Sequence, residues 1–256
     1  MPQKAKDIGL PKHLKILAYG EFAAGKTIFA TTFPKPILFF DFDDGRETYG
    51  GMADIDYELY VEDPTTRRAT AYRRFVKDLD NYARDNAGYK TFVLDSTTFM
   101  LDMIINDILS SQGTTSASEG ITLPQWQTVT NRFSEVFRKI KSYQTHFVVI
   151  GHQQLVKDEL SGEIRTLPIM VGQKFPLKAP LYFDEVYRVF VDQKEKADSI
   201  YKIQTSSCRK YSARSRMNRV DPETGKVTAI LDQYEPADFG VIMDKIQIAR
   251  SGNTEG

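Results

Sequence analysis

Apolar and polar residues alternate along the chain in two distinct rhythms. Several short runs are apolar almost throughout, which is typical of strands buried on both faces of a parallel sheet. These runs lie at residues 13–19, 36–41, 91–95 and 146–151. Longer segments between them place apolar residues three or four positions apart, which predicts amphipathic helices, for example over residues 67–86. The pattern predicts an α/β fold with a mostly parallel sheet flanked by helices.

Three further segments belong to this part of the pattern. Residues 57–61 alternate between apolar and polar side chains, as expected for a strand at the edge of the sheet. Apolar residues between Trp126 and Ile140 have helical spacing and predict a long amphipathic helix. The polar residues 110–120 precede that helix and predict a loop.

The pattern changes after Gly151, where short alternating segments replace the long helices. These segments are residues 155–167, 186–192 and 199–205. They predict an antiparallel extension, made of hairpins added to one side of the sheet in the C-terminal part. We expect a single domain. Its parts are an N-terminal arm (1–12), a core (13–205) and a basic segment with a C-terminal tail (206–256).

The first predicted strand runs directly into a glycine-rich sequence. It reads Gly20-Glu21-Phe22-Ala23-Ala24-Gly25-Lys26-Thr27, matches the phosphate-binding pattern G-x-x-x-x-G-K-[ST], and is continued by Ile28 into a predicted helix. In this strand–loop–helix context, backbone N–H groups surround phosphate oxygens at a helix N-terminus. Lys26 would reach the β- and γ-phosphates, and the Thr27 hydroxyl would ligate Mg²⁺. The motif predicts a bound nucleoside triphosphate.

Charge and cysteine content restrict the partners and the cellular compartment that we expect for the chain. Lys plus Arg and Asp plus Glu number 34 each, so no overall charge indicates nucleic acid or a membrane surface, and any basic site must be local. The single cysteine, Cys208, has no partner for an internal disulfide, which fits a reducing cytoplasm. No apolar run approaches the roughly 20 residues of a membrane span. We therefore expect a cytoplasmic protein that has no membrane partner.

Polar residues suited to a nucleotide site follow three more of the predicted buried strands. These strand ends read Asp41-Phe42-Asp43-Asp44, Asp95-Ser96 and His152-Gln153-Gln154. In open α/β sheets, ligands bind beyond the carboxyl ends of the parallel strands. Asp95 is therefore the candidate to hold Mg²⁺ through water, and residues 152–154 are candidates to hydrogen-bond the γ-phosphate.

Hydrolysis of a triphosphate also needs a group that orients or deprotonates the attacking water. Asp43 is the candidate for this role, with Asp41 and Asp44 as alternatives, and one of the three is expected only to cap the following turn. His152 is a weaker candidate for the base, because a histidine at a strand end is more often a hydrogen-bonded structural residue.

One segment is strongly basic in this otherwise neutral chain. Residues 209–219 carry five positive charges and no acidic residue. A solvated loop is the usual explanation for such a run. The functional alternatives are that it neutralises DNA phosphates, or that it reaches the ATP of a neighbouring subunit, where such a cation contributes about 10³–10⁵ in rate.

The order of these elements resembles the RecA-like P-loop ATPase core. More closely, it resembles the phage-encoded single-strand-annealing ATPases of the Sak group, which are AAA-type phage nucleotide-binding proteins. Gly20–Thr27 corresponds to the Walker A motif of this family, and Phe92–Ser96 to Walker B with its trailing serine. Asp43 lies where the family usually has a catalytic glutamate, which is one methylene longer. Gln153, or Gln154 in a shifted register, lies where the family has a polar sensor before a DNA-binding loop.

The resemblance also implies surfaces for DNA and for neighbouring subunits. Two loops that hold single-stranded DNA correspond to residues 110–120 and 155–175. The second loop contains Lys157, Arg165 and Lys174. The basic segment corresponds to the region that supplies trans-acting cations, for which the candidates are Arg209, Lys210 and Arg214. The implied cofactors are ATP and Mg²⁺. The implied partners are single-stranded DNA, further copies of the chain in a ring or filament, and a single-strand-binding protein.

The resemblance implies a DNA-stimulated ATPase of bacteriophage origin that acts in recombination by single-strand annealing or strand exchange. A helicase-like or packaging motor shares the same core and is the main alternative. A P-loop small-molecule kinase fits less well. It needs an arginine-rich lid, whereas the segments after Gly151 predict antiparallel hairpins. The short side chain of Asp43 also favours a scaffold that binds ATP without cleaving it. The sequence is compatible with a ring and with a filament, and with strand annealing and with strand invasion.

Overall fold

The structure is a computed structural model of the chain. It describes residues 11–62, 69–84, 87–111, 120–157, 162–172, 174–192, 200–221 and 223–251. Most of the predicted N-terminal arm and residues 112–119 of the predicted loop lie outside the described residues. The same holds for residues 158–161 of the second predicted DNA-binding loop.

Up to residue 204, the strands and the first four helices follow the predicted order. The strands are β1 (Lys15–Gly20), β2 (Ile37–Asp41), β3 (Ile55–Leu59), β4 (Thr91–Asp95), β5 (His146–Lys157), β6 (Ile164–Pro168), β7 (Glu185–Asp192), β8 (Ile200–Gln204), β9 (Asn218–Val220), β10 (Val227–Ala229) and β11 (Tyr234–Pro236). The helices are α1 (Lys26–Thr31), α2 (Ala71–Arg84), α3 (Thr97–Ser111), α4 (Leu123–Ser142), α5 (Phe175–Lys178) and α6 (Phe239–Ser251). In the part of the chain that the structure describes, no helix is long and apolar enough to cross a membrane.

The main sheet has the predicted mixed character. Over the described ranges its strand order is β11-β8-β7-β1-β5-β4-β2-β3, and β6 pairs with the distal half of β5. The pairs from β7 to β3 are all parallel, whereas β6, β8 and β11 pair in antiparallel fashion. The α/β fold with a mostly parallel sheet and antiparallel strands in its C-terminal part is confirmed.

Strand β7 corrects one prediction about that extension. Residues 186–192 were expected in an antiparallel hairpin beside the sheet, but β7 pairs in parallel with β1, with Tyr187 opposite Ala18. Its alternating pattern fits its burial, because Arg188 and Phe190 are partly buried on either side of the buried Val189. Only its partner β8 runs antiparallel. The segment therefore belongs to the parallel core and lies next to the glycine-rich loop.

Buried side chains pack on both faces of the sheet, which explains the continuous apolar runs. In β2, Phe40 packs with Phe75 of α2 on one face, while Phe39 lies in the cluster on the other face with Phe29 of α1. Every position of β2 is buried, so no alternation is left in its sequence.

Helix α6 was not predicted, because residues 206–256 were assigned to a basic segment and a tail. The ring of Phe239, at its first residue, stacks on Phe33 with centroids 4.1 Å apart. The Phe239 backbone N–H donates a hydrogen bond to Thr32 Oγ1 at 2.9 Å, and Ile242 and Ile246 are buried. Helix α6 therefore completes the core on the α1 face of the sheet.

Candidate active site

The glycine-rich loop connects the end of β1 to the start of α1. Gly25, the residue before the helix, has a left-handed backbone with φ of 84°. A Cβ atom there would lie 2.3 Å from Cδ1 of Tyr201, and one at Gly20 would lie 2.3 Å from the carbonyl oxygen of Val189. Both glycines are thus required by close packing against β7 and β8, in addition to the turn that they form.

Lys26 lies buried at the centre of the loop. Its Nζ donates hydrogen bonds to the carbonyl oxygens of Glu21 at 2.6 Å and Gly20 at 3.4 Å. Burial lowers the pKa of Lys26, while the neighbouring carboxylates of Asp95 and Asp43 act in the opposite direction. The ammonium group is therefore held inside the loop and close to two acidic side chains.

Asp95 ends strand β4 and meets the first turn of α1. Its Oδ2 accepts a hydrogen bond from the Thr27 hydroxyl at 2.8 Å. Burial raises the pKa of Asp95 to about 7, nearby Asp43 and Asp41 add to the shift, and the Thr27 hydrogen bond and Lys26 oppose it. This carboxyl group is therefore poised between its neutral and charged forms near neutral pH.

The three acidic residues after β2 have three different surroundings. Asp41 is buried and accepts hydrogen bonds from the Asp43 backbone N–H at 2.9 Å and the Tyr49 hydroxyl at 2.6 Å, so it caps the turn. Asp44 is exposed and pairs with Arg46 at 2.9 Å. Asp43 is the one that lines the cavity, and burial, followed by the charge of Asp41, raises its pKa.

These groups surround a cavity of about 450 Å³ at the carboxyl ends of the strands. Its walls include residues 22–28 of the loop, Asp43, Asp95, His152 and Tyr201. The position is the one expected for a ligand in an open α/β sheet. The cavity has the size of ordinary small-molecule sites, which span about 300–1,000 Å³.

Strand β5 supplies polar side chains beside the cavity, at the point where its pairing with β1 ends. The parallel pairing of β5 with β1 ends where His152 lies opposite Gly20. His152 Nδ1 lies 3.2 Å from Thr98 Oγ1, and burial lowers the pKa of its imidazole, with Lys26 adding to the effect. Gln153 Nε2 donates a hydrogen bond to Glu21 Oε1 at 2.9 Å, so the amide contacts the loop directly.

The neighbouring amide, Gln154, is directed elsewhere. Its Nε2 lies 3.5 Å from the carbonyl oxygen of Pro168, on the strand that pairs with this part of β5. Of the two glutamines that the sequence offers as a sensor, Gln153 is the one in contact with the glycine-rich loop.

Comparison with known sequences assigns this loop and sheet to a family. The profile of AAA_24, described as an AAA domain, matches residues 12–217, which include both Walker motifs and most of the basic segment. The chain belongs to this AAA domain family. No curated protein shows a significant match. A solved structure of a KaiC-like protein from Pyrococcus horikoshii OT3 aligns with 11% identity and a TM-score of 0.39, over 84% of this chain and 88% of that chain.

Family membership and the loop geometry make the AAA-domain protein a P-loop ATPase. Members of this class bind a nucleotide, usually with Mg²⁺. The narrower resemblance to single-strand-annealing proteins of phages goes beyond what the family match covers.

The oxygen atoms beside the loop suit Mg²⁺. Thr27 and Asp95 supply a hydroxyl and a carboxylate that already lie 2.8 Å apart. Within the described ranges of the AAA-domain protein, no group of three His, Cys, Asp or Glu side chains could hold a metal ion by itself. Mg²⁺ is usually held by one or two protein oxygens together with substrate phosphates and water.

The candidate trans-acting cations of the AAA-domain protein lie in different settings. The Arg214 guanidinium donates hydrogen bonds to the carbonyl oxygens of Pro180 and Phe183, the latter at 2.8 Å. Burial lowers the pKa of Arg214, and its backbone pairs with Val186. Its side chain is therefore engaged within its own subunit. The side chain of Arg209 is 88% exposed, and its Nε lies 3.3 Å from Glu163 Oε1.

Two predicted groups of cations converge on one surface cleft. Arg165 Nη2 contacts Glu163 Oε2 at 3.1 Å, so Arg165 and Arg209 share the same carboxylate. Lys210 lines the same cleft, which has a volume of about 470 Å³. Lys157 is exposed on the same β5–β6 hairpin. Lys174 lies apart from this cleft, as an exposed residue that precedes α5.

Sequence reasoning missed two residues at the site. Tyr201 packs against Gly25 and lines the cavity, but it comes from β8, whose alternating pattern carries no nucleotide signal. Arg188 of β7 stacks on Tyr211 with its guanidinium carbon 3.6 Å from the ring centroid, which fixes the basic segment against the sheet. Both contacts join residues that are distant in sequence.

Proposed function

We propose that the AAA-domain protein oligomerises on single-stranded DNA and hydrolyses ATP at the interfaces between its subunits, in support of strand annealing or exchange. The observation that carries the ATPase part is the convergence of Lys26, Thr27, Asp43 and Asp95 on one cavity at the carboxyl edge of the sheet. Strand annealing and DNA stimulation rest on the sequence resemblance and on the position of the cationic hairpin, which is the β5–β6 hairpin with Lys157 and Arg165.

ATP binding uses the backbone and side chains of the glycine-rich loop. N–H groups at the start of α1 surround the phosphates, and the Lys26 ammonium moves from loop carbonyls to the β- and γ-phosphate oxygens. Bound Mg²⁺, held by Thr27 and Asp95, would neutralise charge on the phosphates. The ring of Tyr201, which lies against the loop, supplies an apolar wall to the same cavity.

Asp43 orients and deprotonates the attacking water. Its carboxylate lines the cavity beside Lys26, and the buried Asp41 fixes the backbone that carries it through a 2.9 Å hydrogen bond. The raised pKa of Asp43 brings its proton affinity closer to that of a general base at neutral pH.

A neighbouring subunit supplies the additional positive charge. Of the described residues that line the cavity, Lys26 is the only cation, whereas charge that develops on the transferred phosphoryl group is commonly stabilised by a second one. Arg209 is the preferred donor because its side chain is exposed, and Lys210 is the alternative. Arg214 is not available for this role, because its guanidinium binds two carbonyl groups of its own chain.

The β5–β6 hairpin and the basic segment form the proposed surface for single-stranded DNA. Lys157 and Arg165 on the hairpin offer cations for DNA phosphates, while Arg209 beside them is assigned to the ATP of the neighbouring subunit. Each phosphate that they neutralise contributes about −0.7 to the slope of log affinity against log salt for a single strand. The hairpin begins at Gln153, so this surface is directly continuous with the ATP site.

The decisive experiment measures ATP turnover with and without single-stranded DNA, together with the mass of the particle formed with a non-hydrolysable ATP analogue. We expect DNA to stimulate turnover and the analogue to promote assembly, and Lys26→Ala to abolish turnover. Unstimulated turnover by a strict monomer would refute the proposal. Unwinding of duplex DNA would favour a motor, and phosphate transfer to a metabolite would favour a kinase.

A further inference from the structure

Glu21, the second residue of the glycine-rich loop, binds Lys26 and Gln153, two side chains that the sequence predicts at the γ-phosphate. Lys26 Nζ donates a hydrogen bond to its backbone carbonyl at 2.6 Å. Gln153 Nε2 donates one to its carboxylate at 2.9 Å. One residue of the loop therefore engages the ammonium and the amide together.

The contact with Glu21 is what orients the amide of Gln153. The other end of that amide, Oε1, is buried and has no hydrogen-bond partner among the residues that the structure describes. Glu21 itself is exposed and directly precedes residues 22–24 of the cavity wall, so its carboxylate can move without disturbing the core. Among the described residues, the amide is thus held by a single hydrogen bond to an exposed, negatively charged acceptor.

We propose that Glu21 is an internal competitor of the γ-phosphate and sets the discrimination between ATP and ADP. The inference rests on the proposed function, in that it requires nucleotide to bind at this loop. The Glu21 carboxylate and the γ-phosphate are both anionic acceptors for the Gln153 amide, and they repel one another at short range. ATP must therefore displace the carboxylate from Gln153, whereas ADP has no γ-phosphate and leaves that contact intact.

The competition also connects the nucleotide to the cationic hairpin. Gln153 lies directly after the last parallel pair of β5 with β1 and is the first β5 residue that pairs with β6, opposite Pro168. Transfer of its amide from Glu21 to the γ-phosphate acts at the point where the hairpin leaves the sheet. Glu21 is therefore a positioning residue that acts through Gln153.

The test compares dissociation constants of ADP and of a non-hydrolysable ATP analogue by calorimetry. The variants are Glu21→Ala, Glu21→Gln and, as a matched loss of one exposed carboxylate near the site, Glu47→Ala. The backbone carbonyl that binds Lys26 is present in all of them, so only the carboxylate is tested. We expect Glu21→Ala to tighten the analogue about three- to tenfold, the worth of one competing hydrogen bond, and to leave ADP within about twofold.

The remaining variants separate the hydrogen bond from the charge. Glu21→Gln keeps an acceptor for Gln153, so it should tighten the analogue less than Glu21→Ala, and Glu47→Ala should leave the ratio of the two constants unchanged. Equal changes for both nucleotides, or no change in Glu21→Ala, would overturn the inference while leaving ATP binding in place. A wild-type protein that binds neither nucleotide would overturn the proposed function and this inference together.

Discussion

The hydroxyl of Thr27 donates a hydrogen bond to Asp95 Oδ2 over 2.8 Å and thereby joins the first turn of α1 to the end of β4. Strand β1, which leads into α1, is not a neighbour of β4 in the sheet, because β5 lies between them. The bond spans the carboxyl ends of three strands. It brings a hydroxyl and a buried carboxyl together, the two side chains that the proposed function assigns to Mg²⁺.

Asp95→Asn is expected to abolish Mg²⁺-dependent turnover and to raise the melting temperature at pH 8. Burial raises the pKa of Asp95 from 3.8 to about 7, so between these values the folded chain holds more protons than the unfolded chain. Stability therefore falls as the pH rises through this window. The amide still accepts from Thr27 but carries no buried charge. Melting without metal at pH 8 should rise by at least about 2 °C.

The same measurement at pH 5 is the control for Asp95→Asn. At that pH most of the destabilisation caused by ionising the buried Asp95 has not yet developed in the wild type. The gain in melting temperature should therefore be smaller. A gain that is equal at both pH values, or a loss at pH 8, would contradict the assignment of the raised pKa to this carboxyl.

Asp43→Ala is expected to reduce kcat by about 10²–10⁴, the usual contribution of a positioned base. Affinity for a non-hydrolysable analogue should stay within about threefold, because Asp43 acts on water and not on the phosphates. Asp44→Ala is the matched control, since Asp44 is exposed and paired with Arg46. Its turnover should be close to that of the wild type. Similar losses in both variants would argue against a specific role for Asp43.

The pH profile of turnover provides a second test of Asp43. Burial and the nearby Asp41 raise its pKa, and the base must be ionised to work. The rate should therefore fall on the acid side at a pH above the usual range of carboxylates. An acid limb at an ordinary carboxylate pKa would exclude Asp43 as the titrating base.

Mixing two inactive variants should restore turnover if Arg209 acts in trans. Lys26→Ala lacks the phosphate-binding lysine but keeps an intact Arg209, and Arg209→Ala has the reverse defect. Mixed assemblies would contain some interfaces with both groups. We expect each variant alone to be nearly inactive and the mixture to recover part of the wild-type rate, measured as phosphate release. An inactive mixture that still assembles would refute the trans role.

Arg214→Ala should weaken the fold itself. The variant loses hydrogen bonds from the guanidinium to the carbonyl oxygens of Pro180 and Phe183. Hydrogen bonds to charged groups contribute about 1.5–3 kcal/mol to stability, so the free energy of unfolding in urea should fall by that amount. Arg209→Ala serves as the comparison, because its side chain is 88% exposed and its loss should not change stability measurably.

Lys15, at the opposite end of the sheet, should make stability depend on pH in the alkaline range. Its buried Nζ donates to the carbonyl oxygens of Tyr143 and Thr145, and burial lowers its pKa from 10.5 to about 8. Between these values the unfolded chain binds more protons, so stability rises with pH. Relative to Lys15→Met, the wild type should gain melting temperature from pH 7.5 to 9.5. A constant difference between the two proteins would contradict the lowered pKa.

The sequence was sufficient for the features that arise from local pattern. A strand buried on both faces must be apolar at every position, which is why β2 and β4 are recognisable as strands. The glycine-rich loop is a contiguous motif, so its strand, turn and helix could be assigned together. Because parallel strands end at one edge, Asp43, Asp95 and Gln153 could be expected near the loop before any contact was known.

The family resemblance to single-strand-annealing ATPases implies more than these local patterns do, namely a DNA substrate and an assembly of subunits. The AAA-domain match supports the ATPase, but it does not reach the DNA substrate or the assembly. The clustering of Arg165 and Arg209 around Glu163 was also beyond the sequence, because the hairpin and the basic segment are separated by more than forty residues.

The sequence by itself determined the loop, the order of the strands along the chain and the set of candidate side chains. Only the tertiary structure decided that Asp41 caps a turn while Asp43 lines the cavity, that Arg214 binds carbonyls of its own subunit, and that β7 joins the parallel core. It also revealed the bond between Gln153 and Glu21, residues 132 positions apart. Local periodicity records which face of an element is buried. It contains no information about which distant group that face meets, and the roles of these side chains depend on that partner.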